Sequence, residues 1–125
     1  MNIFAINTLT SKQFYEAREL ISVCTSVDGT RGVAFLEPEL NEDRSFPAFF
    51  MMYDGSKMVS FLSVFLVDET ECEIYAYTLP EYREKGCFKR LYKEAIKRLK
   101  AAGYTDAFFV CEPESEAGKA VLEKM

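Results

Sequence analysis

The sequence predicts a mixed α/β domain of the α+β kind, with a mostly antiparallel sheet and helices on both faces. Three observations predict it. Five short apolar stretches of strand length are separated by segments, several of which repeat their apolar residues with a period of 3.6. Two apolar runs flank Asp54-Gly55, a strong hairpin signal. The second run, Met58 to Val67, has apolar side chains on both parities, and only Ser60 and Ser63 are polar, which places it centrally in a sheet covered on both sides. At 125 residues the chain supports one domain, residues 1–125, with a single core.

Each element follows from local signals. Ile3 to Asn7 forms a first short strand, and Thr10 with Gln13 fits a capping box that starts a helix. That helix carries Phe14, Ala17, Leu20, Ile21 and Cys24 on one face and ends near Ser26. Asp28 to Pro47 is polar and punctuated by Gly29, Gly32, Pro38 and Pro47, so it reads as a long loop holding a short helix around Val33 to Leu36. A loop of that length in a small domain points to binding. Strands at Ala48–Tyr53, Met58–Val67 and Glu73–Leu79 follow, the last two joined by a turn at Asp68 to Glu71. A basic helix runs to about Ala102, where Gly103 stops it. Thr105 to Cys111 makes a fifth strand, and Ser115 caps a last helix from Glu116.

Composition excludes several classes. Apolar residues are 49% and charged residues 28%, the balance of a folded globular chain rather than a disordered one. No apolar run approaches the roughly 20 residues of a membrane span, and no signal peptide opens the chain, so a cytoplasmic protein with no membrane partner is expected. Cys24, Cys72, Cys87 and Cys111 lie far apart, with no C-x-x-C pair, which reads as reduced buried thiols and no metal. With no histidine, acid–base chemistry falls to carboxylates, tyrosine, cysteine or the substrate.

The net charge of −5 is segregated. From Tyr82 to Lys100 there are eight basic residues against two acidic ones, so this segment carries +6 and the remainder −11. Its start, Leu79-Pro80-Glu81-Tyr82-Arg83-Glu84-Lys85-Gly86-Cys87-Phe88-Lys89, leaves an apolar strand, turns at a lone glycine and enters a helix. Backbone N–H groups and the positive end of the helix dipole converge there, a cradle for an anion. Either nucleic acid or a polyanionic small molecule fits a basic helix on an acidic body. The distal lysines alternate with Leu91, Tyr92, Ala95, Ile96 and Leu99, as on a solvated helix face, and no aromatic platform for bases accompanies them. Nucleic acid therefore ranks behind a phosphorylated small molecule.

The order of elements, the Pro80-Glu81-Tyr82-Arg83-x-Lys85-Gly86 run and the Ala102-Gly103-Tyr104 break resemble the GNAT N-acetyltransferase superfamily, closely from residue 48 onward and by topology before it. In that family Arg or Gln, two residues, Gly, one residue, then Gly or Ala bind the pyrophosphate of acetyl-coenzyme A. Here Arg83-Glu84-Lys85-Gly86-Cys87-Phe88 matches, with Phe88 in place of the final small residue. The resemblance implies an acyl-CoA N-acyltransferase fold, acetyl-coenzyme A as donor, and pyrophosphate contacts from the backbone of Glu84, Lys85, Gly86, Cys87, Phe88 and Lys89. Arg83 and Lys85 add charge, and Lys89 reaches the ribose phosphate. Tyr77 and Thr78 are implied as backbone partners of the pantetheine arm.

Direct transfer needs a base for the amine proton and an acid for the leaving thiolate. The resemblance implies a tyrosine acid seven residues after an Asn, but Ser115 and Leu122 stand at those positions. Glu73 on the fourth strand, which shares its parity with Tyr75, and Glu112 after the fifth strand are the candidate bases. Cys87 and Cys111 lack a histidine to activate them. The family continues past the last helix into two more strands. This chain stops at Met125, so it is expected to be the N-terminal part of a longer protein, or to form a homodimer through an open sheet edge. The activity implied is N-acetylation of a small-molecule or protein amine. The alternative is a non-catalytic acyl-coenzyme A binding or regulatory module.

Overall fold

The computed structural model describes residues 1–29, 35–41 and 45–109. Five strands form one sheet in the order β1 to β5: β1 (Asn2–Ile6), β2 (Phe49–Asp54), β3 (Lys57–Leu66), β4 (Glu71–Thr78) and β5 (Asp106–Phe109). The first four pair antiparallel and β5 joins β4 in parallel. Helix α1 (Ser11–Asp28) connects β1 towards β2, and α2 (Cys87–Ala101) connects β4 to β5. The mixed sheet, the hairpin at Asp54-Gly55 and the central β3 agree with the sequence.

The helices cover opposite faces. Strand alternation points Phe50 and Tyr53 to opposite sides of β2. Arg98 of α2 lies over the Phe50 ring at 6.0 Å, whereas the Tyr53 hydroxyl donates to Glu16 of α1 at 2.6 Å. Between the helices, Phe49, Phe50, Met51, Met52, Phe61 and Leu62 are fully buried. Each such side chain is worth about 1.5–3 kcal/mol relative to exposure, so the β2–β3 hairpin is the centre of the core.

Local chemistry sets the element ends. Thr10 and Gln13 form the capping box of α1, and Gly29 closes that helix in a left-handed conformation, φ 72°. The helix runs two residues beyond Ser26, because Gly29 is the first residue suited to that cap. Ala17, Leu20, Ile21 and Cys24 are buried as expected, while Phe14 is 38% exposed at the helix start. The expected helix around Val33 to Leu36 is not formed at Phe35 and Leu36, and Val33 lies outside the described residues. A short 3-10 turn at Pro38–Leu40 follows instead, favoured by proline at its first position. β4 begins at Glu71 rather than Glu73, since Asp68 Oδ1 accepts from the Thr70 and Glu71 amides and Glu71 opens the register with Asp106. The expected helix from Glu116 lies outside the described residues.

One polar residue of the 35–41 segment completes the sheet. Ala48 supplies the carbonyl for Val64 N, but Pro47 and Phe46 do not continue β2. Buried Asn41 takes over: its Oδ1 accepts from Leu66 N at 2.7 Å and its Nδ2 donates to Val64 O at 3.3 Å. A side-chain amide thus extends the ladder past the end of β2.

Candidate functional site

The site begins where β4 ends. Ser60 pairs with Thr78 in register, and their hydroxyls lie 2.8 Å apart in the core. Leu79 N then donates to Val59 O at 2.9 Å, beside a bulge that leaves Val59 as the extra residue of β3 between Met52 and Tyr53. Pro80–Tyr82 makes one 3-10 turn. Arg83 folds back, its Nε donating to Thr78 O at 3.0 Å. Glu84 is left-handed, φ 66°, the one non-glycine with positive φ among the described residues. Gly86, φ 82°, is the N-cap of α2.

This turn leaves the helix start open. Among the described residues no side chain caps α2, and its first turn contains no acidic residue. Lys89 and Arg90 stand exposed there instead, against the positive end of the dipole, an arrangement that costs a few tenths of a kcal/mol or more per charge unless an anion is bound. Among the described residues nothing lies within 4 Å of a Cβ built on Gly86. Its glycine is therefore required by φ rather than by crowding, and that side of the turn stays clear for a ligand.

The loop is braced from the β2–β3 hairpin. The Tyr82 hydroxyl donates to Asp54 Oδ2 at 2.7 Å, a bond that raises the Tyr82 pKa, and Lys57 pairs with Glu81 at 4.0 Å across the surface. Lys85 Nζ sits 5.4 Å above the Tyr82 ring, so one sequence-predicted phosphate cation is held beside the cradle by its aromatic neighbour. On the far side Cys87 is buried with Leu91, Ala95 and Leu99, anchoring α2 to the sheet.

Upstream on β4, Glu73 and Tyr75 share the face covered by α1, because Tyr75 pairs with Ser63 and Ser63 with Phe49. The Tyr75 hydroxyl donates to Glu73 Oε1 at 3.1 Å. Burial first, and the Glu73 hydrogen bond second, push the Tyr75 phenol up to about 12. From Glu73 to Thr78 the strand rises about 17 Å, comparable to an extended pantetheine arm. β5 pairs with Glu71 to Ile74 among the described residues, and Tyr77 and Thr78 lie beyond that paired stretch.

The fold brings Tyr77, Thr78, Arg83, Glu84, Lys85, Gly86, Cys87, Phe88 and Lys89 to one corner, with Glu73 on the same strand. Glu112, Cys111, Ser115 and Leu122 lie outside the described residues. A nucleophilic role for Cys87 is disfavoured by its 2% exposure, and burial drives the Cys72 thiol up to about 12. Sequence reasoning missed the left-handed Glu84, the Tyr82–Asp54 brace and the Cys24 thiol, which donates to Thr78 O at 3.3 Å. Only Glu84 left a trace: a turn this tight contains one glycine, so a second left-handed residue had to be something else.

Residues 14–125 match the model of the acetyltransferase (GNAT) family. No curated protein matches the chain by sequence. Among solved structures, a GCN5-related N-acetyltransferase from Sphaerobacter thermophilus superposes with TM-score 0.73 at 12% identity, over 98% of this chain and 42% of that one. The ribosomal-protein-S18-alanine N-acetyltransferase of Escherichia coli gives 0.66 at 16%, over 98% and 74%. N-acetylglutamate synthase from Neisseria gonorrhoeae, complexed with coenzyme A and N-acetyl-glutamate, gives 0.68 at 14%, over 99% and 28%. At these identities the likeness is one of fold, and the chain spans less than half of the first and third proteins.

Proposed function

The chain belongs to the acetyltransferase (GNAT) family, and on that premise we propose that it binds acetyl-coenzyme A at the Arg83–Lys89 cradle and transfers the acetyl group to an amine. One observation carries the proposal: beyond the turn that follows β4, left-handed Gly86 opens a cation-flanked helix start that no described side chain caps. That geometry suits a pyrophosphate, with first-turn amides as donors and Lys85 and Lys89 as counter-charges.

The donor supplies an activated thioester. Glu73 takes a proton from the acceptor amine, whose nitrogen attacks the thioester carbonyl; the new C–N bond forms, the C–S bond breaks, and the thiolate is protonated from solvent. Tyr75 orients the Glu73 carboxylate through its hydrogen bond. The −11 charge outside the basic segment favours a cationic amine, small molecule or protein, as acceptor.

Acetyl-coenzyme A should raise the melting temperature by mass action, and acetate should not. Gly86→Val should remove the shift, because a β-branched residue does not tolerate φ 82°. An unchanged shift in Gly86→Val removes the cradle assignment. Thiol release against a panel of amines then separates an enzyme from a binding module, since a module binds the donor without releasing thiol.

A further inference from the structure

Two donors from separate elements meet on the Thr78 carbonyl. The Cys24 thiol, fully buried on α1, donates at 3.3 Å, and Arg83 Nε donates at 3.0 Å. Thr78 is the last residue of β4, so this carbonyl marks the point where the strand turns into the cradle. We propose that Arg83 is a positioning residue of the cofactor site: with Cys24 it clasps the Thr78 carbonyl and sets the angle of the cradle, rather than serving as a charge on phosphate. The proposal rests on the coenzyme A reading above.

The geometry supports a clasp in three ways. Nε is the guanidinium nitrogen nearest the chain, and its commitment to Thr78 O ties Arg83 back over the Pro80–Tyr82 turn. The next residue is the left-handed Glu84, a conformation that persists only where its surroundings over-determine it. A carbonyl oxygen has two lone pairs, and here two donors occupy it. Both acceptor positions of Thr78 O are thereby taken within the chain. Through Cys24 the same carbonyl couples α1 to the cradle.

The two roles of Arg83 make opposite predictions for conservative substitutions. Arg83→Gln places a neutral N–H donor where Nε stands, whereas Arg83→Lys keeps the charge but places a methylene there. Coenzyme A affinity, its salt dependence, and the melting temperature without ligand should be measured for both, together with Cys24→Ser and Cys24→Ala. A clasp predicts that Arg83→Lys loses roughly tenfold in affinity while Arg83→Gln stays within about threefold. It further predicts an unaltered salt dependence in Arg83→Gln, and that Cys24→Ser outbinds Cys24→Ala. Tighter binding by Arg83→Lys than by Arg83→Gln, or a flatter salt dependence in Arg83→Gln, overturns the proposal in favour of a phosphate contact. Should the wild-type chain fail to bind coenzyme A, the cofactor reading falls. The ligand-free melting temperatures then decide the clasp alone: Arg83→Gln above Arg83→Lys is expected, and the reverse order overturns it.

Discussion

Glu84 is the position where stability and ligand affinity are expected to move together. Its left-handed backbone costs an L-residue about 1–2 kcal/mol. Among the described residues its carboxylate makes no hydrogen bond or ion pair that would offset this. Glycine removes the steric cost but adds about 0.5–1 kcal/mol of chain entropy to the unfolded state. Glu84→Gly should therefore stabilise the protein by about 0.5–1 kcal/mol, a rise in melting temperature of about 2–5 °C for a domain of this size. Alanine keeps a Cβ and hence the strain, so Glu84→Ala should gain little stability. Both substitutions remove a negative charge from the anion cradle. A carboxylate about 6 Å from a phosphate in a water-like dielectric is worth about 0.7 kcal/mol, so both should bind coenzyme A about threefold more tightly. Thermal melts without ligand and titration calorimetry with coenzyme A separate the two effects. If Glu84→Gly is no more stable than Glu84→Ala, the backbone argument is wrong; if neither binds more tightly, the carboxylate does not face the anion.

Other positions yield sharper single readouts. Asn41→Ala leaves Leu66 N and Val64 O without their side-chain partners in the core, and should cost about 2–4 kcal/mol in a denaturant melt; a loss below about 1 kcal/mol would mean that water replaces the amide. Glu73→Gln should lower kcat at least 100-fold with little change in the donor KM, in a thiol-release assay; an unchanged kcat moves the base elsewhere. Cys72 and Tyr75 keep their protons in the folded state up to about pH 12, whereas unfolded Cys and Tyr release them from about 9.0 and 10.0. Their contribution to stability is thus full below about pH 9 and is lost as the pH rises from there to about 12. Melting temperature against pH should fall across that window, less steeply in Tyr75→Phe; identical slopes would show that Tyr75 titrates normally.

The sheet and its helices were legible because burial dictates them. Short apolar runs, the Asp54-Gly55 turn and the capping box at Thr10 and Gln13 are each decided within a few residues, so the strand and α-helix boundaries that fall on described residues lie within two residues of those read from the sequence. The turn at Gly86 was legible for the same reason, since it precedes an amphipathic helix whose buried positions recur every four residues. What stayed hidden depends on partners far apart in sequence. Asn41 works only because β2 stops at Phe49, and Cys24 acts on a carbonyl 54 residues away. No local pattern announces either. Arg83 illustrates the difference most directly: its charge suggested a phosphate ligand, whereas its Nε is occupied by Thr78 O.

The corner proposed to bind the donor gathers several features that work against folding. Glu84 is left-handed, no described side chain caps α2, and Lys89 and Arg90 oppose the helix dipole. Each has a conventional remedy in glycine, in a Ser or Asp cap, and in an acidic first turn. The Ser or Asp remedies would fill the donor groups or neutralise the field that an incoming pyrophosphate needs. Around the same corner lie the compensating contacts: Tyr82 to Asp54, Lys57 to Glu81, Lys85 over Tyr82, and the two donors on Thr78 O. These act on the segment leading into the cradle, and none of them caps the start of α2. Such a division is expected of a binding loop, in which strain and uncompensated charge persist only if neighbouring elements hold the backbone in place. It also predicts where a stabilising change is compatible with function. Substitutions that strengthen the braces, such as Lys57→Arg opposite Glu81, should raise the melting temperature and leave coenzyme A affinity intact. Gly86→Asp, which offers α2 a capping carboxylate, should weaken binding at least tenfold, from the added charge and the strain at φ 82° together. Undiminished affinity in Gly86→Asp would show that the amides at the start of α2 are not where the anion sits.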